Sequence, residues 1–281
     1  MVQIILFTMK IKDKLRILLF NLLGTKNVDG LRYIKFKYKF SKFLKIRDKN
    51  TFVKKFSKFY ESEMGIIPEI LKNPSIIIDI GANYGTYSFF LSKLYSKSKI
   101  FAFEPATSSY EILKKIIRNF KLRNVFPIKK GLGAIEETKE IVMPAQYTIL
   151  AYVSEKNMSR KKEDQIEKIE ITTLDNFVKR NKIKKINFIK CDVEGFELNV
   201  FKGAKKTLRR YKPTIFVEIE ERHTKKYRIN PQEILNFFRR LGYKCYLIKK
   251  DKIQKTNKIK KEIPLYLFSI KNLKISNSQS F

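Results

Sequence analysis

The stretch "IIIDIGANYGTY", residues 76–87, runs as an unbroken apolar segment into an acid, Asp79, and then places Gly81 and Gly85 on either side of Asn83 and Tyr84. An apolar run that stops abruptly at glycine reads as a buried strand turning sharply into a helix, because glycine supplies the backbone conformations such a turn needs. "TYSFFLSKLY" (86–95) continues with helical spacing. Far along the chain, "FIKCDVEGFE" (188–197) repeats the plan, with an apolar strand that ends in Asp192, Glu194 and Gly195. Two strand ends of this kind raise the question of what they hold between them.

Reading outward from residue 76, apolar runs alternate with helical stretches. "KIFAFEP" (99–105) is a second strand and "SYEILKKIIRNF" (109–120) a helix, followed by a third strand in "VFPIKKGLG" (125–133). The region from about 136 to 168 reads as an irregular polar interruption. The series resumes with "INFIKCDV" (186–193), a helix over 197–211, the strand "TIFVEIE" (214–220), a helix over 231–240, and strands near 244–249 and 264–270. Continuous apolar strands imply burial on both faces, which predicts a doubly wound α/β domain with a mainly parallel sheet and helices on either side.

In such a sheet, ligands sit at the carboxyl ends of the strands where the strand order reverses. Asp79, Gly81, Asn83, Tyr84 and Gly85 form the first strand-end turn, and Glu104 ends the second strand about twenty residues on, where a carboxylate can accept hydrogen bonds from ribose hydroxyls. A dinucleotide fold wants G-x-G-x-x-G to bring backbone against a pyrophosphate; here the turn is D-x-G-x-x-x-G with a bulky tyrosine inside it. The acid at the strand end suits a ligand that carries an amino group. S-adenosylmethionine combines adenosine, ammonium and sulfonium, and Asp79 would serve its amino-acid portion directly or through water.

The segments "IDIGANYGTYS", "FAFEP", "TTLDNF", "FIKCDVEGFELNVFKGA" and "VEIE", in this order over roughly residues 75–221, resemble the FkbM-type S-adenosylmethionine-dependent methyltransferases. The resemblance implies a class I methyltransferase fold acting on a hydroxyl, in a family whose members methylate sugars of glycans and glycolipids or natural-product alcohols. By position it makes Asp79, Gly81, Asn83 and Gly85 the cofactor turn, Glu104 the ribose ligand, and Asp192 the acid beside the reacting methyl. "FEPAT" departs from the family by lacking the Asn that often follows the proline.

Removal of the hydroxyl proton calls for a base, and the candidates are Asp192, Glu194, Glu218 and His223, the only histidine of the chain. Lys190 is expected to pair with Asp192 or Glu194, as a structural ion pair or to orient the acceptor. Converging carboxylates allow a Mg²⁺ site, although metal dependence is not the favoured reading. In "TTLDNFV", Thr173 or Asp175 reads as a helix cap, with Leu174 and Phe177 packing inward. Glu197 reads as an acid that favours the first turn of its helix.

Composition bounds the rest. With 61 Lys+Arg against 27 Asp+Glu the net charge is +34, which attracts nucleic acid, anionic lipid or acidic glycans. The lysines are spread along the chain, so charge alone does not name a partner. Residues 1–60 hold 16 Lys/Arg and 3 Asp/Glu interleaved with aromatics, which suggests a basic, partly helical region over 1–70 ahead of a methyltransferase domain over 71–281. Its aromatics are expected to face inward rather than stack on bases. Ile11, Leu15, Leu18, Leu19 and Leu22 recur at helical spacing among basic residues, so a membrane-surface helix is an alternative to packing on the body of the protein. Apolar runs there are too short to span a bilayer, and Met9 is an alternative start. Cys191 and Cys245 have neither CxxC spacing nor histidines enough for zinc, and show no disulfide framework, in keeping with a cytoplasmic protein, at most peripheral at the inner membrane face. The expected activity is O-methyl transfer to a sugar hydroxyl; the rivals are an RNA methyltransferase and a basic membrane-surface protein with a degenerate cofactor fold.

Overall fold

The computed structural model describes residues 30–144, 151–155, 158, 161–249 and 252–273. The amphipathic segment around residues 11–22 lies outside them. The first described helix, α1, covers residues 30–44, and α2 follows at Lys49–Phe59, capped by the Asp48 carboxylate, which accepts from the Thr51 amide. After a short 3₁₀ turn at Ser62–Ile66 and the single turn α3 (Ile67–Ile70), the chain enters β1 at Ile76–Ile80. The series continues with α4 (Thr86–Leu94), β2 (Lys99–Phe103), α5 (Thr107–Asn119) and β3 (Val125–Ile128). Four short or exposed strands then build a second sheet: β4 (Gly131–Leu132), β5 (Glu137–Met143), β6 (Tyr152–Val153) and β7 (Gln165–Thr172). Helix α6 (Leu174–Arg180) leads back to β8 (Phe188–Cys191), followed by α7 (Glu197–Lys202), α8 (Lys205–Tyr211) and β9 (Thr214–Glu218). The chain closes with α9 (Glu221–Thr224), α10 (Pro231–Arg240), β10 (Lys244–Lys249), β11 (Lys252–Thr256) and β12 (Leu265–Ser269).

The main sheet has the order β11-β10-β12-β9-β8-β1-β2-β3. Its five strands from β3 to β9 run parallel, while β12 inserts antiparallel between β9 and β10. The expected doubly wound sheet is therefore present, and its order reverses between β1, which pairs with β2 on one side, and β8 on the other. Side chains alternate across the layer. Ile77, Phe188 and Phe216 join one apolar core with α1, α2, α4 and α5, whereas Ile78, Ile80, Ile189 and Cys191 join a second core with α6, α7, α8 and α10. Both cysteines are free and buried.

Among the described N-terminal aromatics Phe40, Phe43, Phe52 and Phe56 turn inward, while Tyr38 and Phe59 are exposed. Phe40 stacks on Phe89 of α4 with ring centroids 4.5 Å apart, Phe52 stacks on Phe90, and Phe36 meets Tyr84 edge-on at 4.9 Å. Burying rings of this size supplies roughly 1.5–3 kcal/mol each, so α1 and α2 are fastened to the cofactor-turn side of the sheet by the same residues that make their sequence look aromatic. Among the described residues no helix is long and apolar enough to cross a membrane.

Two expectations about the chain's organisation are corrected. The stretch expected to be irregular over 136–168 contains regular structure: β5 and β7 pair antiparallel from Glu137–Ile171 to Met143–Gln165, and their buried Ile141, Met143, Ile169 and Ile171 join the second core. The helix expected over 197–211 is two helices. It breaks at Gly203, where a Cβ would stand 2.0 Å from the carbonyl oxygen of Gly133, so only glycine lets the chains approach. Asp175 then caps the second piece, accepting from the amides of Lys206 and Thr207 at 3.0 and 2.8 Å, while Thr173 caps its own helix through Asn176 N.

Candidate functional site

The ends of β1 and β8 meet. Gly81, at φ +72°, has no room for a side chain because a Cβ would lie 1.8 Å from the carbonyl oxygen of Asp192. The β1 turn is then tied to β2: Gly81 N and Ala82 N both donate to Phe103 O, and Asn83 N donates to Glu104 Oε2 at 2.8 Å. Asn83 takes the left-handed region at φ 50°, as does Gly85 at φ +88°, which opens α4. Left-handed backbone is tolerated by Asn and favoured by Gly, so the D-x-G-x-x-x-G spacing is a record of this winding.

Gly81, Asn83, Tyr84, Glu104, Lys190, Asp192 and Glu194 all line one cavity, of about 270 Å³. Glu104 is almost fully buried and its second oxygen accepts from Ala106 N at 2.9 Å. Burial pushes its carboxyl up to about 7, against the pull of those two amides. The far wall is apolar and comes from the second sheet, with Ile141, Val153, Ile169 and Ile171. The stretch expected to be irregular thus closes the cavity.

Lys190 lies directly across from Asp79 in the β1–β8 register, and its Nζ is 3.2 Å from Asp192 Oδ2 and 3.3 Å from Gly81 O. Burial alone would lower its pKa, but the carboxylates of Asp192, Asp79 and Glu61 outweigh that and raise it, so the ammonium is held charged. The same ammonium stands 5.0 Å above the Tyr87 ring.

Four of the expected site residues do not line the cavity. Asp79 is fully buried, with Oδ2 accepting from Ser88 Oγ at 2.6 Å, and burial raises its pKa. Its direct contact with a ligand is therefore corrected to a place behind the turn. Gly85 contributes backbone shape alone, lying against Leu113. Glu218 ends β9 half-buried, and burial with the Asp192 charge pushes it up to about 9. His223, on α9, sets Nδ1 2.8 Å from Oε2 of Glu194, so the pair joins the β8 and β9 ends while only Glu194 reaches the cavity wall.

Sequence reasoning missed three groups. Glu197 bends back to accept from Val193 N and Gly195 N, both at 3.1 Å, and so clasps the 193–195 turn rather than only favouring its helix. Gly195 is required there because a Cβ would come 2.4 Å from the His223 carbonyl oxygen. Glu61 and Tyr87 also line the cavity, and the Tyr87 hydroxyl donates to Glu61 Oε2. Nothing in the local pattern around Glu61 marks it. Among the described residues no group of three or more His, Cys, Asp or Glu side chains is placed to hold a metal ion.

A parallel sheet reversing beneath a glycine turn, closed by an antiparallel strand between β9 and β10, is a class I methyltransferase architecture. The chain belongs to the FkbM methyltransferase family: the Methyltransferase FkbM domain matches residues 79–245. It is 28% identical over 149 residues to Methyltransferase 1 of Beauveria bassiana (strain ARSEF 2860), covering 46% of this chain and 58% of that protein. To Methyltransferase sdnD of Sordaria araneosa it is 29% identical over 165 residues, covering 49% and 62%. The chain thus matches somewhat over half the length of these curated relatives. The solved methyltransferase FkbM of Methylobacillus flagellatus KT aligns over 86% of this chain and 60% of its own at 14% identity, with a TM-score of 0.46.

Proposed function

We propose that the protein transfers a methyl group from S-adenosylmethionine to a hydroxyl, that of a sugar in a glycan or glycolipid. The observation that carries the cofactor half is the convergence of the Gly81–Asn83 turn, Glu104 and Asp192 on one cavity in a chain of this family. The donor set fits the cofactor: Glu104 keeps lone pairs for ribose hydroxyls beyond those its two amides use, and the acids around Lys190 suit cationic groups. When bound, S-adenosylmethionine supplies an electrophilic methyl on sulfur. The turn and Glu104 fix the nucleoside, the wall of β5–β7 excludes water, and Asp192 stands at the end of β8 beside the reacting region.

The acceptor half is supported by the family resemblance and by the groups gathered at the β8 and β9 ends. His223 Nδ1 lies 2.8 Å from Glu194 Oε2, so an acceptor that extends past Glu194 on the cavity wall would present its hydroxyl to this pair for proton removal. Glu218, pushed up to about 9 by burial, keeps its proton near neutral pH and is a hydrogen-bond donor rather than a proton acceptor. Incubation with methyl-labelled cofactor and the carbohydrate fraction of the native host should place label on sugar hydroxyls. Label that appears in RNA and not in carbohydrate contradicts the acceptor assignment.

A further inference from the structure

Glu61 precedes the family's matched segment by eighteen residues, yet its carboxylate reaches the cavity. Glu61 is exposed as a residue, at the start of the 3₁₀ turn after α2, but its carboxylate accepts from the Tyr87 hydroxyl and desolvation raises its pKa. Tyr87 is the second residue of α4, two residues past Gly85, and lines the same cavity as Glu104. In S-adenosylmethionine the ribose lies between the adenine and the methionine, so an acid that holds the ribose leaves the methionine ammonium to a different group of the same cavity. With Glu104 assigned to the ribose, Glu61 beside Tyr87 is a second carboxylate on that cavity.

Acids cluster there around one ammonium. Lys190 is the one cation among three carboxylates, Asp192, Asp79 and Glu61, all near enough to act on it. Asp79 and Lys190 are fixed on adjacent strands, and Lys190 is already engaged with Asp192 and Gly81 O, while Glu61 is met by the Tyr87 hydroxyl. We propose that Glu61, oriented by the hydroxyl of Tyr87, is the acceptor for the ammonium of the methionine portion, so that the segment before the family domain completes the cofactor site. The assignment rests on the S-adenosylmethionine reading above. Docking of α1 and α2 through Phe40 and Phe52 onto Phe89 and Phe90 is then what brings Glu61 to its place.

Calorimetric titration of the full chain with S-adenosylmethionine and with 5′-methylthioadenosine, which has the nucleoside but no amino acid, tests this. The wild type should bind both. Glu61→Gln, which keeps an oxygen for Tyr87 O–H, should weaken S-adenosylmethionine about tenfold, the loss expected for a hydrogen bond to a charged group, while leaving 5′-methylthioadenosine within about twofold. Tyr87→Phe should weaken S-adenosylmethionine in the same selective way, and the melting temperature of each variant reports whether the fold is kept. If the wild type binds neither ligand, the cofactor reading itself falls. Wild-type binding of both, with equal affinity of Glu61→Gln for S-adenosylmethionine, overturns the role of Glu61 alone; so does an equal loss for the two ligands.

Discussion

Gly81 and Asp192 approach so closely that a single methyl on Gly81 would stand 1.8 Å from the Asp192 carbonyl oxygen. Residues more than a hundred positions apart thereby become one wall of the cavity. Gly81→Ala combines this clash with a left-handed backbone, and unfolding by urea should show a loss of at least about 3 kcal/mol. Gly65→Ala is the control, since its Cβ would meet only Ser57 Oγ at an ordinary 3.5 Å, and it should stay within about 1 kcal/mol of wild type.

Glu104 gives a pH signature. Its carboxyl is raised from an ordinary 4.5 to about 7 in the folded protein, so between those values the unfolded chain has lost a proton that the folded one retains. Stability of the ligand-free protein should therefore fall as pH rises from 4.5 to 7 and level off above, by on the order of 3 kcal/mol for this group. Glu197, raised to about 7 by burial, adds a fall of the same sign. Glu104→Gln should reduce the slope without abolishing it. Affinity for 5′-methylthioadenosine should run the other way in the wild type, rising as pH passes 7 and the carboxylate becomes the better acceptor for ribose.

His223 and Glu194 are expected to act on the acceptor and not on the cofactor. His223→Asn should lower turnover by roughly 10²–10⁴-fold while the dissociation constant for S-adenosylmethionine stays within error. A drop of less than about threefold, well below the range for a lost general base, would leave Glu194, on the cavity wall, as the group to test next.

Phe40 is fully buried between α2, α4 and α5, stacked on Phe89 and edge-on to Phe120. Phe40→Ala should cost about 3–5 kcal/mol in denaturant unfolding and, by loosening α1 and α2, should also weaken cofactor binding through Glu61. Loss of stability with unchanged affinity for S-adenosylmethionine would separate the N-terminal helices from the site.

The parallel core was legible because β1, β2, β8 and β9 are continuous apolar runs that stop at an acid, and burial on both faces leaves no other reading of such runs. The cavity-lining residues of the turn, with Glu104, Lys190, Asp192 and Glu194, were found for the same reason. The second sheet was not, because β5 and β7 carry Glu137, Lys139, Glu167, Lys168 and Glu170, whose charges break up the apolar pattern of the strands. Strand β11, "KIQKT", is hidden likewise as a polar edge strand. The break at Gly203 depends on how close Gly133 comes, which no local pattern records. Asp79 was placed correctly on its strand, but its short side chain is taken up by Ser88 of α4, whereas the longer Lys190 on the same face of the neighbouring strand reaches the cavity.

The central claim is that the ends of β1, β2 and β8 hold S-adenosylmethionine together. A structure of the protein with S-adenosylhomocysteine tests it most directly: the ribose hydroxyls should lie within hydrogen-bond distance of Glu104, with the amino-acid end toward Tyr87 and the sulfur toward Asp192. A nucleoside bound away from Glu104, or none bound at saturating concentration, would contradict it.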